Sequence, residues 1–231
     1  MEKNRKNPKE KIMLDINQAV IKRHSVRRYL DKPIESDLVE RLNEFILKIN
    51  EESGLKFELV TNEPTAFTGP LAHYGKFENC SNYIIIKGAK GRDEDVGYYG
   101  EKIVIYAQQI GLNTCWVALT YSKRRLKIHL TLEKGEKFYL LIAIGYGRNR
   151  GLPRRTKPME KLCKVDCEMP KWFENGMDFA MRAPTAINQQ KFLIILKDEK
   201  VTFKSFFGPC HKIDLGIVKY HFELGAKIQK S

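Results

Sequence analysis

The sequence predicts an α+β fold with mixed sheets flanked by helices, and three observations indicate it. Apolar residues recur at helical spacing within residues 35–50, namely at Leu38, Leu42, Phe45, Ile46 and Ile49. Short apolar runs that are typical of buried strands occupy residues 83–88 and 137–147, and the second run is predicted to be central in its sheet. The order helix, strand, strand, helix occurs twice along the chain, which favours two structural repeats.

The first part of the chain is predicted to begin with a flexible, charged tail at residues 1–14. Asp15 is placed to cap a helix that runs through Arg23. Residues 61–76 contain prolines and glycines and are predicted to be a loop that covers or contacts a ligand. The other elements predicted here are strands at 55–60, 83–88 and 137–147, helices at 35–50 and 93–110, a buried segment at 113–120 and a linker helix within 119–132.

The last part of the chain repeats the pattern of the middle. The elements predicted for it are a helix that Pro184 ends, strands at 191–196 and 201–207, and a helix at 213–227 capped by Asp214. Asp95-x-Gly97 and Asp214-x-Gly216 both open long helices, and Ala107 corresponds to Ala226. Both correspondences have an offset of 119 residues (216 − 97 and 226 − 107). The constant offset favours a repeat, although few residues are identical.

Composition limits the class of protein. The 231 residues are 42% hydrophobic, which is enough for a substantial core, and the net charge is +13. This charge is spread along the chain, so a solvated basic surface is as reasonable an interpretation as nucleic-acid binding. No apolar run approaches the ~20 residues of a membrane helix, and the charged start, which has no apolar core, is not expected to act as a signal peptide. The five cysteines, an odd number at scattered positions, favour a cytoplasmic protein with reduced thiols and no metal site.

A basic stretch at residues 21–29, IKRHSVRRY, is the strongest candidate for a binding site. Arg23, Ser25 and Arg27 alternate, so an extended backbone would point them the same way. Guanidinium groups match phosphate oxygens, and a hydroxyl adds one more hydrogen bond. Taken alone, the pattern also fits a solvated basic helix end.

Three stretches of the chain resemble the FMN-dependent nitroreductase family. RHSVR at 23–27 is similar to its RRSxR-type opening, GLNTCW at 111–116 to its GLGTCW segment, and RAPTAINQQKF at 182–192 to its APSAxNxQPW segment. The resemblance extends from about Asp15 to Ala226. It implies FMN as the cofactor.

The distribution of these stretches implies a particular architecture. In the family, flavin lies at a homodimer interface, and the RRSxR and APSAxN segments come from different subunits. Here the first segment lies in a half formed by residues 15–158, and the other lies in a shorter half formed by residues 159–231. The resemblance therefore implies a single-chain pseudo-dimer with one complete flavin site, like a subgroup of the family in which one chain holds both halves. A monomer is expected.

The resemblance also assigns contacts to the FMN phosphate. The contacts implied by the opening segment are Arg23, His24 and Ser25. Residues 147–157, GRNRGLPRRTK, stand where the family has a second phosphate clamp. Arg155 and Lys157 fit the alternating basic pattern of that clamp best, and Arg154 is the competing choice.

Further contacts are implied for the rest of the flavin. Arg27 corresponds to a group at the ribityl chain or the N1–C2 edge, where a positive charge stabilises reduced flavin. The contacts implied for the ring are Pro184, Thr185 and Asn188, together with the backbone amides of Val117 and Ala118 near N5.

By this resemblance the chain is expected to be an NAD(P)H-dependent oxidoreductase. Hydride would pass through flavin N5 to a nitroaromatic, quinone or similar flat acceptor, in a ping-pong cycle that needs no catalytic side chain. Two alternatives remain open at this point. One is an FMN-binding protein of the same fold that is not a reductase, and the other is a basic nucleic-acid-binding protein.

Overall fold

The computed structural model describes residues 13–126 and 130–227. The helices within these ranges are α1 Ile16–Lys22, α2 Ser36–Ser53, α3 Pro70–Tyr74, α4 Asp93–Gln109, α5 Lys123–Leu126, α6 Lys171–Ala180 and α7 His211–Lys227. The strands are β1 Lys56–Val60, β2 Tyr83–Ala89, β3 Asn113–Val117, β4 Glu136–Gly145, β5 Cys163–Val165, β6 Phe192–Lys197 and β7 Lys200–Ser205. Short 3-10 helices lie at Thr65–Phe67, Met159–Lys161 and Ala186–Asn188.

The larger sheet is antiparallel and has the strand order β1-β2-β4-β3. As the sequence predicted, β4 lies in its interior, between β2 and β3. Ile142 is opposite Ile84 of β2 and Trp116 of β3. Every residue of β4 from Leu140 onwards is buried, because helices and loops cover both faces of this strand.

The smaller sheet has the order β5-β6-β7, with β5 parallel and β7 antiparallel to β6. Side chains on β6 are buried alternately, so one face of this sheet packs on the core. Both sheets contribute to one continuous apolar cluster, which includes Ile84 and Ile142 of the first sheet, Ile194 of the second and Phe173 of α6. The two sheets are therefore parts of one core.

Helices α4 and α7 cross at two glycines in a reciprocal arrangement. A Cβ atom at Gly97 would overlap the carbonyl oxygen of Ile213, and one at Gly216 would overlap that of Glu94. The two contacts are equivalent under the 119-residue offset. Gly97 corresponds to Gly216 (216 − 97), and Glu94, which faces Gly216, corresponds to Ile213, which faces Gly97 (213 − 94). The absence of a side chain at both positions allows the helix backbones to touch.

The predicted order helix, strand, strand, helix occurs as α6-β6-β7-α7, whereas the earlier part of the chain has α3 between its two strands, in the order α2-β1-α3-β2-α4. The two strands are antiparallel in both cases. The connections differ. Helix α2 leads into β1 through Gly54 and Leu55, whereas residues 181–191 separate α6 from β6. In contrast, β6 and β7 are joined by a tight turn with positive φ at Asp198 and Glu199.

Three expectations about local structure need correction or restriction. The loop predicted at 61–76 contains α3 and a 3-10 helix, because Pro70 is well placed at the first turn of a helix. Helix α7 begins at His211, so Asp214 lies inside its first turn and is not its N-cap. The predicted tail lies outside the described residues except for Met13 and Leu14, and the predicted linker helix is described only as α5 and the residues next to it. In the ranges described, no helix has the length and hydropathy needed to cross a membrane.

Candidate functional site

The first wall of the site is the extended segment that follows α1. The Asp15 carboxylate accepts a hydrogen bond from the Gln18 amide (3.1 Å) and caps the helix, as predicted. After α1 the chain pairs with β3 through a bridge between Ser25 and Thr114. Val26 and Tyr29 are buried in the core beneath, so the intervening polar side chains face outwards.

The second wall is the loop between α6 and β6, in which three residues have positive φ: Ile187 (48°), Asn188 (56°) and Gln190 (47°). Such angles are strained for a β-branched residue, and Ile187 is also 87% exposed. Asp214 of α7 supports this loop. Its two carboxylate oxygens lie 3.0 and 3.1 Å from the amide nitrogen of Ala186, and Gln189 Nε2 donates to one of them (2.7 Å).

Three cations hold the carbonyl groups of the same loop. The guanidinium of Arg154 donates to the carbonyls of Met181 and Ala183. Arg23 Nη2 donates to the carbonyl of Arg182 (3.1 Å). The Lys157 ammonium donates to the carbonyls of Gln189 (2.9 Å) and Gln190 (3.0 Å). Part of the basic charge near the site therefore anchors the loop.

A cavity of about 590 Å³ lies between the two walls. In the described part of the chain its lining carries five Lys and Arg side chains and no Asp or Glu. The lining residues are Arg23, His24, Ser25, Arg27, Arg28, Lys76, Asn149, Gly151, Leu152, Pro153, Arg154, Pro184, Thr185, Ile187 and Asn188. A cavity of this size is in the usual range for small-molecule sites, and its charge favours an anionic ligand.

Of the eleven residues assigned from the sequence, seven line this cavity: Arg23, His24, Ser25, Arg27, Pro184, Thr185 and Asn188. The structure does not place the other four in the lining. Val117 is buried at the end of β3, and Ala118 follows it. Arg155 is exposed, and its carbonyl accepts hydrogen bonds from the side chains of Asn188 (2.9 Å) and Gln190 (3.0 Å). Lys157 anchors the loop as described above.

Several lining residues were not assigned from the sequence. Arg154 was the competing choice to Arg155, and it is the arginine that reaches the cavity. Lys76 follows α3 with a φ of 58° and comes from the segment predicted as a ligand loop. Gly151 packs against His24 so closely that a Cβ atom would overlap the His24 Cβ, and its φ of 74° also favours glycine.

The electrostatics of the cavity follow from this crowding of cations. Burial, with Arg23 nearby, lowers the pKa of Arg154 to about 10. Burial and the charges of Arg23, Arg154 and Arg182 lower the pKa of His24, which favours its neutral form. Binding an anion would relieve the repulsion among these groups.

Asp214 has the opposite shift, and it gives a testable pH dependence. Burial raises its pKa from 3.8 to about 6, because its hydrogen bonds with Gln189 and Ala186 do not fully offset desolvation. The folded state therefore binds more protons than the unfolded state between these values, and stability falls as pH rises through this range. The loss amounts to roughly 3 kcal/mol at 1.36 kcal/mol per unit.

We expect this pH dependence to disappear in Asp214→Asn. Thermal unfolding of both proteins from pH 4 to 7.5 should show wild type losing stability relative to the variant up to about pH 6, with a constant difference above it. A difference that is constant across the whole range would contradict the assignment of this titration to Asp214.

The fold and the site define an α+β protein with a large cationic ligand cavity. No group of three or more potential metal ligands occurs among the residues that the structure describes. A family model described as "Putative TM nitroreductase" matches residues 15–226. The chain belongs to this nitroreductase family, which confirms the resemblance noted in the sequence.

Two solved structures agree with this fold, and a third is similar over part of the chain. A "putative nitroreductase" from Thermotoga maritima MSB8 aligns with a TM-score of 0.68 and 21% identity, over 99% of this chain and 90% of that one. A "Putative NADH dehydrogenase/NAD(P)H nitroreductase" from Parabacteroides distasonis ATCC 8503 has a TM-score of 0.50 and 20% identity, over 64% and 95%. A "putative nitroreductase" from Exiguobacterium sibiricum 255-15, solved in complex with FMN, has 0.49 and 16%, over 64% and 95%. No curated protein matches the chain.

Proposed function

We propose that the chain is an FMN-dependent NAD(P)H oxidoreductase that reduces a flat acceptor such as a nitroaromatic or a quinone. The observation that carries the proposal is the cavity, which presents five cationic side chains and no carboxylate in its described lining. Membership of a nitroreductase family supports the same conclusion.

The residues of the cavity fit the phosphate of FMN, which carries a charge of about −2 near neutral pH. Ser25 offers a hydroxyl, and Arg27 and Lys76 offer charges that the loop does not use. Arg23 also reaches the lining, although its Nη2 is used by the carbonyl of Arg182. An anion in the cavity would pair with these charges. It would not have to displace a carboxylate, because the described lining contains none.

The loop and the exposed apolar side chains fit the rest of the cofactor and the acceptor. When bound, FMN supplies two-electron chemistry as an acceptor and donor of hydride. Pro184, Thr185 and Asn188 would hold it from the loop, and Arg27 would place a positive charge near it. Ile187 and Leu152 line the cavity yet are 87% and 85% exposed, so they offer apolar surface to a planar acceptor. Since reductant and acceptor would share this cavity, ping-pong kinetics are expected.

We also infer that the chain is a single-chain pseudo-dimer with one flavin site, and that it is a monomer. The reciprocal contacts of Gly97 and Gly216 support a two-fold relation between α4 and α7. The direct connection of α2 to β1 leaves no counterpart of the loop at 181–191, which supports a single site. The free cysteines support a cytoplasmic protein.

The absorption spectrum and flavin content of the purified protein test the proposal. We expect the bands of oxidised flavin at about one FMN per chain, bleaching by NADH or NADPH without oxygen, and the mass of a monomer in solution. About two FMN per chain would contradict the single site. A flavin that neither nucleotide reduces would indicate an FMN-binding protein that is not a reductase. A colourless protein that does not take up added FMN would remove the proposal.

A further inference from the structure

A buried ionic cluster lies behind the wall of the cavity. Its centre is Glu101 of α4, which is fully buried. Trp116 Nε1 donates to its Oε2 (2.8 Å), His221 Nε2 lies 2.8 Å from its Oε1, and Arg23 Nε lies 3.6 Å from the same Oε1. The cluster joins α4, β3, α7 and the end of α1. Of its members only Arg23 lines the cavity.

The hydrogen bonds of His221 indicate that the cluster has a place for an extra proton. Its Nδ1 lies 3.1 Å from the carbonyl oxygen of Phe179, and its Nε2 faces Glu101. Both ring nitrogens thus face acceptors, but a neutral imidazole carries a single N–H. If Glu101 is ionised and His221 is neutral, one contact joins two lone pairs. One added proton, on either the carboxyl or the ring, satisfies both contacts.

Arg23 connects this cluster to the cavity. Its Nη2 is used by the carbonyl of Arg182, and the charge of its guanidinium is shared between Glu101 and whatever occupies the cavity. An ionised Glu101 competes with a bound anion for that charge. A proton on the Glu101–His221 pair weakens this competition, either by neutralising the carboxylate or by balancing it.

We propose that the Glu101–His221 pair takes up one proton when a phosphate-bearing ligand binds in the cavity, so that ligand affinity falls as the pair loses this proton at higher pH. The inference rests on the proposed function for the ligand, FMN. Binding of the anion and binding of the proton are linked. If a proton on the pair raises the affinity of the cavity for the anion by some factor, the bound anion raises the affinity of the pair for the proton by the same factor. Glu101 and His221 act through Arg23 and are positioning residues.

Other titratable groups around the pair shape this equilibrium. Burial lowers the pKa of His221, and Glu101 acts in the opposite direction, while Arg23 and Arg154 oppose a further positive charge. An anion in the cavity offsets that opposition. The charged and titratable groups that face the pair from the surrounding elements are Arg23 after α1, Arg154 from the segment after β4, and Tyr220 on α7, with Cys115 of β3 facing Arg23.

The test compares FMN affinity from pH 5 to 8 in wild type and Glu101→Gln, because burial lowers the pKa of His221 from its ordinary value of 6.5. The FMN phosphate also titrates in this range, with a second pKa of about 6, and the ratio of the two affinities removes this common contribution. We expect wild-type affinity to fall about tenfold relative to the variant as pH rises, which corresponds to a shift of one pKa unit in the pair. The side-chain amide of the variant can accept from Trp116 and donate to His221, so the variant should show the titration of the phosphate alone. Calorimetry at pH 6.5 in buffers of different ionisation heat should show more proton uptake in wild type than in the variant.

The controls separate this pair from other titrating groups. Glu223→Gln alters a carboxylate on α7 that bonds Tyr98 (2.6 Å) away from the cluster, and the pH dependence should remain. His24 lines the cavity and could also take up a proton, so a profile flattened by His24→Asn and unchanged by Glu101→Gln would overturn the inference. If Glu101→Gln does not fold, His221→Gln takes its place. If neither variant folds, proton uptake is compared in wild type and His24→Asn. Uptake in both proteins supports the inference, and loss of the uptake in His24→Asn overturns it.

The same experiment distinguishes failure of the inference from failure of the proposed function. If FMN binds at no pH, the proposed function is wrong, and sulfate, a dianion without a titratable proton in this range, becomes the probe. Stabilisation of the folded protein by sulfate that declines with pH in wild type and not in Glu101→Gln supports the inference. An equal decline in both proteins, or none in either, overturns it.

Discussion

Gly216→Ala is expected to destabilise the protein, although alanine is the better helix former. In an exposed helix the exchange gains up to ~1 kcal/mol. Here the new Cβ atom would overlap the backbone carbonyl of Glu94, which cannot rotate away as a side chain could. Helices α4 and α7 must separate, at a cost near the upper end of the ~1–3 kcal/mol that is usual for overpacking. Urea unfolding followed by circular dichroism measures the loss.

The reciprocal variant and a third glycine complete this experiment. Gly97→Ala meets the carbonyl of Ile213 in the same way, so its loss should be similar. At Gly100 of α4 a Cβ atom would meet the Trp116 ring instead. This side chain can shift, so Gly100→Ala should cost less than either of the others. Equal stability of wild type and Gly216→Ala would show that the two helices do not touch at this point.

Arg154→Met is expected to have the largest effect on FMN binding. The variant keeps the length of the side chain and removes a charge from the cavity wall. It also leaves the carbonyls of Met181 and Ala183 without their donor, and Ala183 directly precedes Pro184. Two hydrogen bonds from a charged group, at ~1.5 kcal/mol or more each, together with the lost charge, correspond to roughly a hundredfold loss of affinity. Quenching of FMN fluorescence on titration measures it.

The neighbouring arginine is the matched control. Arg155→Met removes the same charge one residue away, but the Arg155 side chain is exposed and lies outside the described lining of the cavity. Its carbonyl, which Asn188 and Gln190 use, is unchanged by the substitution. We expect less than a threefold effect, as for an exposed charge. A larger loss from Arg155→Met than from Arg154→Met would contradict the site.

The sequence was sufficient for the long elements and for the family. The helix from Asp15, the interior strand β4 and the family resemblance depend on local periodicity and on short motifs, and the structure and the family model confirm them. The two stretches RHSVR and RAPTAIN begin 159 residues apart, at Arg23 and Arg182, yet they face one cavity. Only the resemblance indicated this juxtaposition, because spacing along the chain does not predict contacts at that distance.

The basic segment after β4 shows where reading the sequence was insufficient. Alternation favoured Arg155 and Lys157 as the phosphate clamp, but alternation holds only for a regular extended backbone. The structure directs Arg154 into the cavity and Lys157 to the loop carbonyls. Asp214 was predicted to be a helix cap from the local sequence alone. Its actual partners, Gln189 and the Ala186 amide, belong to a loop that no local pattern connects to α7.

The crossing of α4 and α7 also constrains how the protein is made. During synthesis the face of α4 around Gly97 and Glu101 exists before its partner helix does, because Gly216 follows 119 residues later (216 − 97). At ~5–20 residues per second, α4 waits roughly 6 to 24 s for α7 to leave the ribosome. Its buried glutamate and apolar face remain open to chaperones or to other chains in that interval. The packing of α7 on α4 is therefore expected to be a late step of folding, and truncations that remove α7 should accumulate as aggregates.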